Sequence, residues 1–317
     1  MIRFIKQLFL FASIVFVAIL IIDFATNSII NSHVVVKLKP NTKHIIIGHS
    51  HPECAYNDSL ISNFQNMASS GECYFYNYQK LKKVIEQNPQ LETVWLEYTN
   101  NSISKGMNDW IWEDKFINQK YPIYSAFLSN NEKLFLASKN MKSFLGASSL
   151  SVKKKIEQVL LKQYNISNSI GGYTYLNRSK TDSLINVKNS IQNAYPKLDS
   201  SISEKNVEYL LKIISLCKNA HKKIILVRSP QNSYYEGYNN ELAYKNILNN
   251  QLKNVTYVDF SKFPLQNNEY ADLEHLNAIG ASKFSNWFNK LDKLALLKHS
   301  NKQLFVDNAV SKLQPSN

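Results

Sequence analysis

Apolar positions along this chain fall into three patterns. The first is a single block, Leu8 to Ile22, in which Ser13 is the only polar side chain. The second is a set of short runs rich in β-branched residues: Ile45-Ile-Ile47, Val94-Trp-Leu-Glu-Tyr98, Lys223-Ile-Ile-Leu-Val227 and Val255-Thr-Tyr-Val-Asp259. Short runs of this kind, ended by turn-forming residues, predict strands buried on both faces. The third is helical spacing, seen at Leu81, Val84 and Ile85, at Val207, Leu210, Leu211 and Ile214, and at Phe284, Trp287, Phe288 and Leu291. Asp58 reads as the cap of a further helix through Leu60, Ile61, Phe64 and Met67, and Cys73–Tyr76 as a second strand. Ser201-Ile-Ser-Glu204 fits a capping box that opens the helix carrying Val207. Strand and helix alternate through the first third and again after residue 200, which predicts an α/β fold with a parallel sheet and crossover helices.

Between about 102 and 200 the strand pattern stops. Trp110, Trp112, Phe116, Tyr121, Tyr124 and Phe127 crowd one segment, helical stretches follow near 133–144 and 151–163, and Gly171-Gly172 punctuates a loop. This predicts a largely helical insertion covering the ligand edge of the sheet. The expected organisation is an N-terminal anchor over 1–27, a connector over 28–42, an α/β domain over 43–298 with its insertion, and a polar, peripheral tail over 299–317.

The apolar block is shorter than the roughly 20 residues of a comfortable membrane span. Lys6 can snorkel, and Phe24 and Ala25 can extend the run. Arg3 and Lys6 flank it on the N-terminal side, so the expected topology is single-pass, with a cytoplasmic N-terminus and the domain on the periplasmic or extracellular side. A cleaved signal peptide is the alternative, but Asp23–Ser28 offers no small-x-small cleavage site.

The 317 residues are 44% hydrophobic and 12% aromatic, values of a folded protein, with a net charge of +13. The lysines are scattered and no nucleic-acid-binding motif accompanies them, so no nucleic acid partner is expected. Cys54, Cys73 and Cys217 make no disulfide framework and show no metal spacing.

The chemistry concentrates in two places. Gly48-His49-Ser50 follows the Ile45–Ile47 strand, and the carboxyl end of such a strand is where open α/β sheets bind ligands. A serine there is a candidate nucleophile, needing an imidazole base held by an acceptor. Asp272-x-x-His275 supplies both, three residues apart in a turn before a helix. The alternative roles are helix capping for Ser50 and a surface or capping histidine for His275. His49, His51, Glu53 and His275 also admit a metal reading, but no acid-rich strand end supports it and no metal or cofactor is expected. Arg228, just past a strand, could hold an anionic substrate group, and Tyr173, Tyr175 and Arg178 could line a sugar cleft.

Taken together, Gly-x-Ser after the first strand, Asn after a later strand and a late Asp-x-x-His resemble the SGNH (GDSL-type) hydrolase superfamily over about Lys43 to Leu291. The membrane-anchored layout resembles its extracytoplasmic O-acyl-transfer members, such as the D-alanyl transfer and alginate O-acetylation proteins. That resemblance implies an SGNH-like, flavodoxin-like parallel sheet sandwiched by helices. It implies Ser50 as nucleophile, His275 as base and Asp272 as orienting acid, with Gly71 and Asn100 (or Asn101) forming an oxyanion hole. His49 stands where the family most often carries an acid, and Glu97-Tyr-Thr-Asn-Asn101 lacks the family's usual Gly-x-Asn-Asp form. The implied activity is O-acyl transfer, of acetyl by resemblance, through an acyl-Ser50 intermediate. The acceptor would be a cell-envelope or secreted polysaccharide, and the donor partner a membrane-bound O-acyltransferase. The alternatives are a carbohydrate esterase with the same three residues, and a non-catalytic carbohydrate-binding or scaffold subunit of an acyl-transfer complex.

Overall fold

The computed structural model describes residues 1–190, 200–235, 237, 239–293 and 295–313. The end of the expected insertion, 191–199, and the last residues of the expected tail, 314–317, lie outside the described residues. In chain order the elements are α1 (Ile2–His33), β1 (His44–Ile47), α2 (Ser50–Ala55), β2 (Phe64–Asn66), α3 (Tyr74–Gln87), β3 (Thr93–Glu97), α4 (Asn100–Ile103) and α5 (Met107–Trp112). There follow α6 (Asp114–Tyr124), α7 (Asn130–Lys139), α8 (Met141–Leu160), α9 (Thr181–Ser190), α10 (Glu204–Asn219), β4 (Lys223–Arg228), α11 (Glu241–Asn250), β5 (Thr256–Asp259), α12 (Ala278–Lys293) and α13 (Lys302–Ser311). The chain divides into two compact units, Met1–Val36 with Trp112–Ser169, and Lys37–Ile111 with Ile170–Asn317.

The second unit is a five-stranded parallel sheet in the order β2-β1-β3-β4-β5, the flavodoxin-like winding. Register puts Ile46 beside Trp95 and Trp95 beside Ile225, while Val227 lies beside Val258. These residues form one face and are buried with Phe284, Phe288 and Leu291 of α12. Ile45, Val94, Leu96 and Leu226 belong to the opposite face, on the side of α10, which packs on β4 and on α3. Every residue of β1 and β3 is buried. That accounts for the unbroken apolar runs that identified them.

Two expected elements come out differently. Leu60, Ile61, Phe64 and Met67 match a helical period, yet only Asp58–Leu60 makes a turn of 3-10 helix, capped by Asn57 rather than Asp58. The chain then enters β2, pairing with β1. Sheet pairing overrides the local period because Phe64 and Asn66 can both turn inward with Gln65 between them. Conversely, Cys73–Tyr76 is not a strand. Cys73 caps α3, and the aromatic run Tyr74-Phe-Tyr76 is buried as the first turn of that helix. The cap of α10 is Ser203, whose side chain accepts from the Asn206 N–H, rather than Ser201. After Lys298, where polarity predicted a peripheral tail, α13 packs against β5 with Val306 and Val310 in the core. Two valines four residues apart suffice to dock an otherwise polar helix.

The first unit is helical apart from a single bridge between Val35 and Asn165. α8 packs against α1, α6 and α7, with Tyr121 and Phe144 meeting edge to face at 5.5 Å. Lys155 of α8 is buried against the Asp23 carboxylate of α1 and donates to Asn27 Oδ1 at 2.8 Å. α1 runs six residues past the expected end of the anchor, and Ile2–His33 has the length and apolarity to cross a membrane, a description that a signal sequence also meets.

Candidate active site

β1 delivers its last residue, Ile47, into a turn that only glycine can make. Gly48 sits at φ +153°, and a Cβ there would lie 2.6 Å from Glu97 Cβ and 2.9 Å from Pro52 Cγ. Ser50 then opens α2. Asn66 of β2 closes the other end of α2 by donating to the carbonyls of Pro52 and Tyr56, both at 2.8 Å, which supplies the partners that helix-terminal carbonyls lack.

Ser50 Oγ lies 2.8 Å from His275 Nε2, and His275 Nδ1 lies 2.8 Å from Asp272 Oδ1. Asp272 Oδ1 also accepts from the backbone N–H groups of Glu274 and His275, at 3.0 and 2.9 Å. Its Oδ2 accepts from Arg178 Nη2 at 2.9 Å. Burial opposes ionisation of Asp272, but the hydrogen bonds from His275 and Arg178 outweigh it and hold the carboxyl well below its usual range. An ionised Asp272 can only accept, so His275 Nδ1 is the donor, and in the neutral imidazole Nε2 is then the acceptor facing the serine hydroxyl.

Segment 170–181 laces this site together. Gly172 N–H donates to the Ala68 carbonyl at 3.0 Å and Thr174 N–H to the Glu53 carbonyl at 3.0 Å. Leu176 O accepts from Ala278 N–H at 2.9 Å, Arg178 reaches Asp272, and Lys180 N–H donates to Ala271 O at 3.0 Å. Gly171, at φ +132°, passes so close to the backbone that a Cβ would fall 2.3 Å from the Met67 carbonyl oxygen. Gly171, and not Gly172, therefore marks a close backbone crossing. Arg178, expected at the substrate, is bound to the acid of the Ser–His–Asp chain instead. Tyr173 packs against the core cluster beside α12.

Gly71 sits in the loop between β2 and α3 at φ +72°. That loop is held to the Ser50 turn by Ser69 N–H on the Gly48 carbonyl at 3.1 Å, and by Ser70, whose N–H and hydroxyl both donate to Glu53 Oε2. Asn100 is buried at the start of α4. Its amide donates to Glu241 Oε2 at 2.8 Å, and its oxygen accepts from Arg228 Nη2 at 2.7 Å. Arg228 also meets Asp259 and stacks over Tyr244 with its guanidinium carbon 4.3 Å from the ring centre. Asn100 and Arg228, expected in two different roles, thus bind each other in one buried network.

His49 is buried, with Nε2 3.2 Å from Ser102 Oγ and Nδ1 accepting from the His51 N–H. It leaves Ser50 to His275. Burial is the main reason that both His49 and His51 are held below the ordinary histidine range, so both are neutral at pH 7.

Four residues around the site carried no expected role in chemistry. Gln231 Nε2 lies 3.0 Å from His51 Nδ1, and Glu274 Oε2 lies 3.5 Å from His51 Nε2. Glu97, fully buried at the end of β3, accepts from the N–H and hydroxyl of Ser229. Burial pushes its carboxyl up to about 8 against the stabilising bonds from Ser229. Gln231 and Ser229 follow β4 directly, so the rule that ligands gather at strand carboxyl ends was the available pointer to them.

Fold and geometry together define a parallel α/β protein with a hydrogen-bonded Ser–His–Asp chain at the carboxyl edge of its sheet. A family model matches residues 175–294, a stretch that holds Arg178, Asp272 and His275. Among curated proteins nothing matches the chain. Two solved structures are similar to it. One, from Bacteroides fragilis and described as an acylhydrolase, is 11% identical, covers 83% of this chain and 93% of its own, and gives a TM-score of 0.34. The other, from Streptococcus pneumonia and described as a platelet activating factor, is 13% identical, covers 91% and 98%, and gives a TM-score of 0.38. Likenesses this distant carry no argument about the site.

Proposed function

We propose that this protein performs serine-dependent acyl-ester chemistry, and that its physiological reaction is O-acyl transfer to a polysaccharide hydroxyl outside the cytoplasm. The observation that carries the reading is the continuous chain from Ser50 Oγ through His275 to Asp272, both links at 2.8 Å. His275 Nε2 takes the Ser50 proton as Oγ attacks an ester carbonyl, and the tetrahedral oxyanion forms. His275 then gives that proton to the leaving alkoxide, leaving acyl-Ser50. An acceptor hydroxyl repeats the sequence in reverse, with His275 taking its proton and returning it to Ser50. Asp272 keeps the imidazole in the tautomer that both halves need.

The backbone N–H of Gly71 is the proposed oxyanion donor, since its loop is tied to the Ser50 turn through Ser69, Ser70 and Glu53. Asn100 has a second amide proton beyond the one given to Glu241 for the same purpose. One well-placed donor contributes about 3–4 kcal/mol to the transition state. On this reading α1 is an uncleaved anchor that keeps the site near a membrane-bound acyl donor, and the acyl group is acetyl.

A second reading, hydrolysis of the same ester, is favoured by the openness of the site. His275 and Asp272 keep 19% and 21% of their side-chain surface exposed, and Arg178 beside them keeps 48%. Water can therefore compete with a sugar for acyl-Ser50. The test is to incubate the protein with an activated acetyl ester, with and without an oligosaccharide, and follow acetate and acetylated sugar by mass spectrometry. Acetylated sugar that disappears with Ser50→Ala supports transfer. Acetate alone at any sugar concentration supports the esterase. Neither product would sink both.

A further inference from the structure

The chemistry above uses His275 and leaves two potential metal ligands beside it without a task. His51, Glu274 and His275 each bring a ligand atom to one point, all within 4.8 Å of one another. The two imidazole rings stand edge-on at 5.5 Å, and the His51–Glu274 approach is 3.5 Å. Two imidazoles and one carboxylate, with a fourth position open, are a donor set that suits zinc better than the oxygen-seeking magnesium or calcium.

We propose that His51 Nε2, the Glu274 carboxylate and His275 Nε2 bind one zinc ion, which switches the serine chemistry off by taking His275 Nε2 away from Ser50. The proposal rests on the roles given above to Ser50 and His275. Its structural support lies in what holds the far side of each ring. Histidines that ligate zinc commonly donate their other nitrogen to a fixed acceptor, which orients the ring and raises its basicity. His275 Nδ1 has Asp272 at 2.8 Å, so its Nε2 is already bare. His51 Nδ1 has the side-chain amide of Gln231 at 3.0 Å. With that amide turned by half, its oxygen accepts from Nδ1–H of His51, and in that tautomer Nε2 is bare. Glu274, with 48% of its side chain exposed, gives the ion a way in from solvent. Binding involves no redox change. Ser50 keeps its proton and loses its hydrogen-bond acceptor, so it is no longer activated.

The neighbouring set of His49, His51 and Glu97 has comparable spacing but does not serve. All three are buried, His49 Nε2 faces Ser102, and both Glu97 oxygens are engaged by Ser229.

The test uses the full-length chain in detergent after removal of metal by a chelator. Zinc is titrated against a chromophoric zinc chelator, and in parallel the labelling of Ser50 by a fluorophosphonate probe is followed. The expected result is saturation at one zinc per chain, with labelling lost in step with occupancy and restored by EDTA. Magnesium should have no effect. Glu274→Gln and His51→Gln should each weaken zinc binding, and raise the zinc concentration for half-protection, by about tenfold or more. Absence of saturable binding overturns the proposal, as does binding that leaves labelling unchanged, zinc that increases labelling, or an affinity equal to the parent's in both variants. If Ser50 does not label even without metal, the serine reading has failed. The zinc site is then judged by the titration alone, in which Ser50→Ala should bind like the parent.

Discussion

The two compact units bury apolar surface in different ways. In the α/β unit, Ile46, Trp95, Ile225, Val227 and Val258 line one sheet face under the aromatic side of α12, and the polar residues that remain collect where the strands end. In the helical unit, the longest apolar run of the chain stays uncovered. Phe9 and Phe16 of α1 are 74% and 61% exposed, and α1 has only Thr26 and Ile30 buried. The core cluster of the α/β unit is built from that unit's own residues, and polar groups stand at the strand ends where chemistry can be arranged. α1 leaves apolar area that a lipid environment would cover, and its contact with α8 is fixed by the polar clasp of Lys155, Asp23 and Asn27.

The sharpest way to break this contrast is to remove the chemistry without touching the fold. Ser50→Ala, or His275→Gln, should lower turnover of an activated acetyl ester by about 10⁴-fold or more while leaving the urea midpoint unchanged. A variant that retains a tenth of the activity would count against the nucleophile. Gly48→Ala should do the reverse and attack the fold, because its Cβ would press into Glu97 at a strained φ. A loss of about 3 kcal/mol is expected in denaturant unfolding of the α/β unit. In the helical unit, Lys155→Met leaves Asp23 with the Asn27 amide but without its cation and should cost about 2 kcal/mol, a figure kept low because Asp23 is one-third exposed. Faster hydrogen exchange along α8 is the readout, and unchanged exchange would show the clasp to be dispensable.

Glu97 gives a pH test within the α/β unit. Its carboxyl is pushed up to about 8 in the folded chain, from an ordinary 4.5. Between those values the unfolded chain has lost the proton and the folded chain keeps it. Stability therefore falls as pH rises through this window, by at most about 1.4 kcal/mol per pH unit. Glu97→Gln should flatten that slope in unfolding experiments at pH 5 to 8. The smallest effect is expected at the edge of the site. Arg178→Ala should lower kcat by about tenfold or less with little change in KM, because Arg178 acts through Asp272 and not on substrate, and Arg178→Lys should recover part of the loss. A change confined to KM would return Arg178 to substrate binding.

What could be read from residue order follows from what is local. Strands β1, β3 and the inner part of β4 were legible because burial on both faces leaves β-branched runs, whereas β5, a half-exposed edge strand, was legible from Val255 and Val258 around Thr256 and Tyr257. The pairing of Asp272 with His275 is a spacing within one turn, and the apolar block of α1 is written in consecutive residues. Association across the chain was not legible in the same way. Phe64–Asn66 carries a helical period and becomes a strand only because β1 offers its edge, while Tyr74-Phe-Tyr76 becomes helix because all three rings find cover. Nothing in the spacing of Arg178, Asn100 and Arg228 says that the first meets Asp272 or that the other two meet each other, since 94 and 128 residues separate the partners. The meeting of Ser50 with His275, 225 residues apart, is likewise made by the sheet. Local sequence determined which side chains could do chemistry, and the packing of distant segments decided which of them stand within a hydrogen bond of one another.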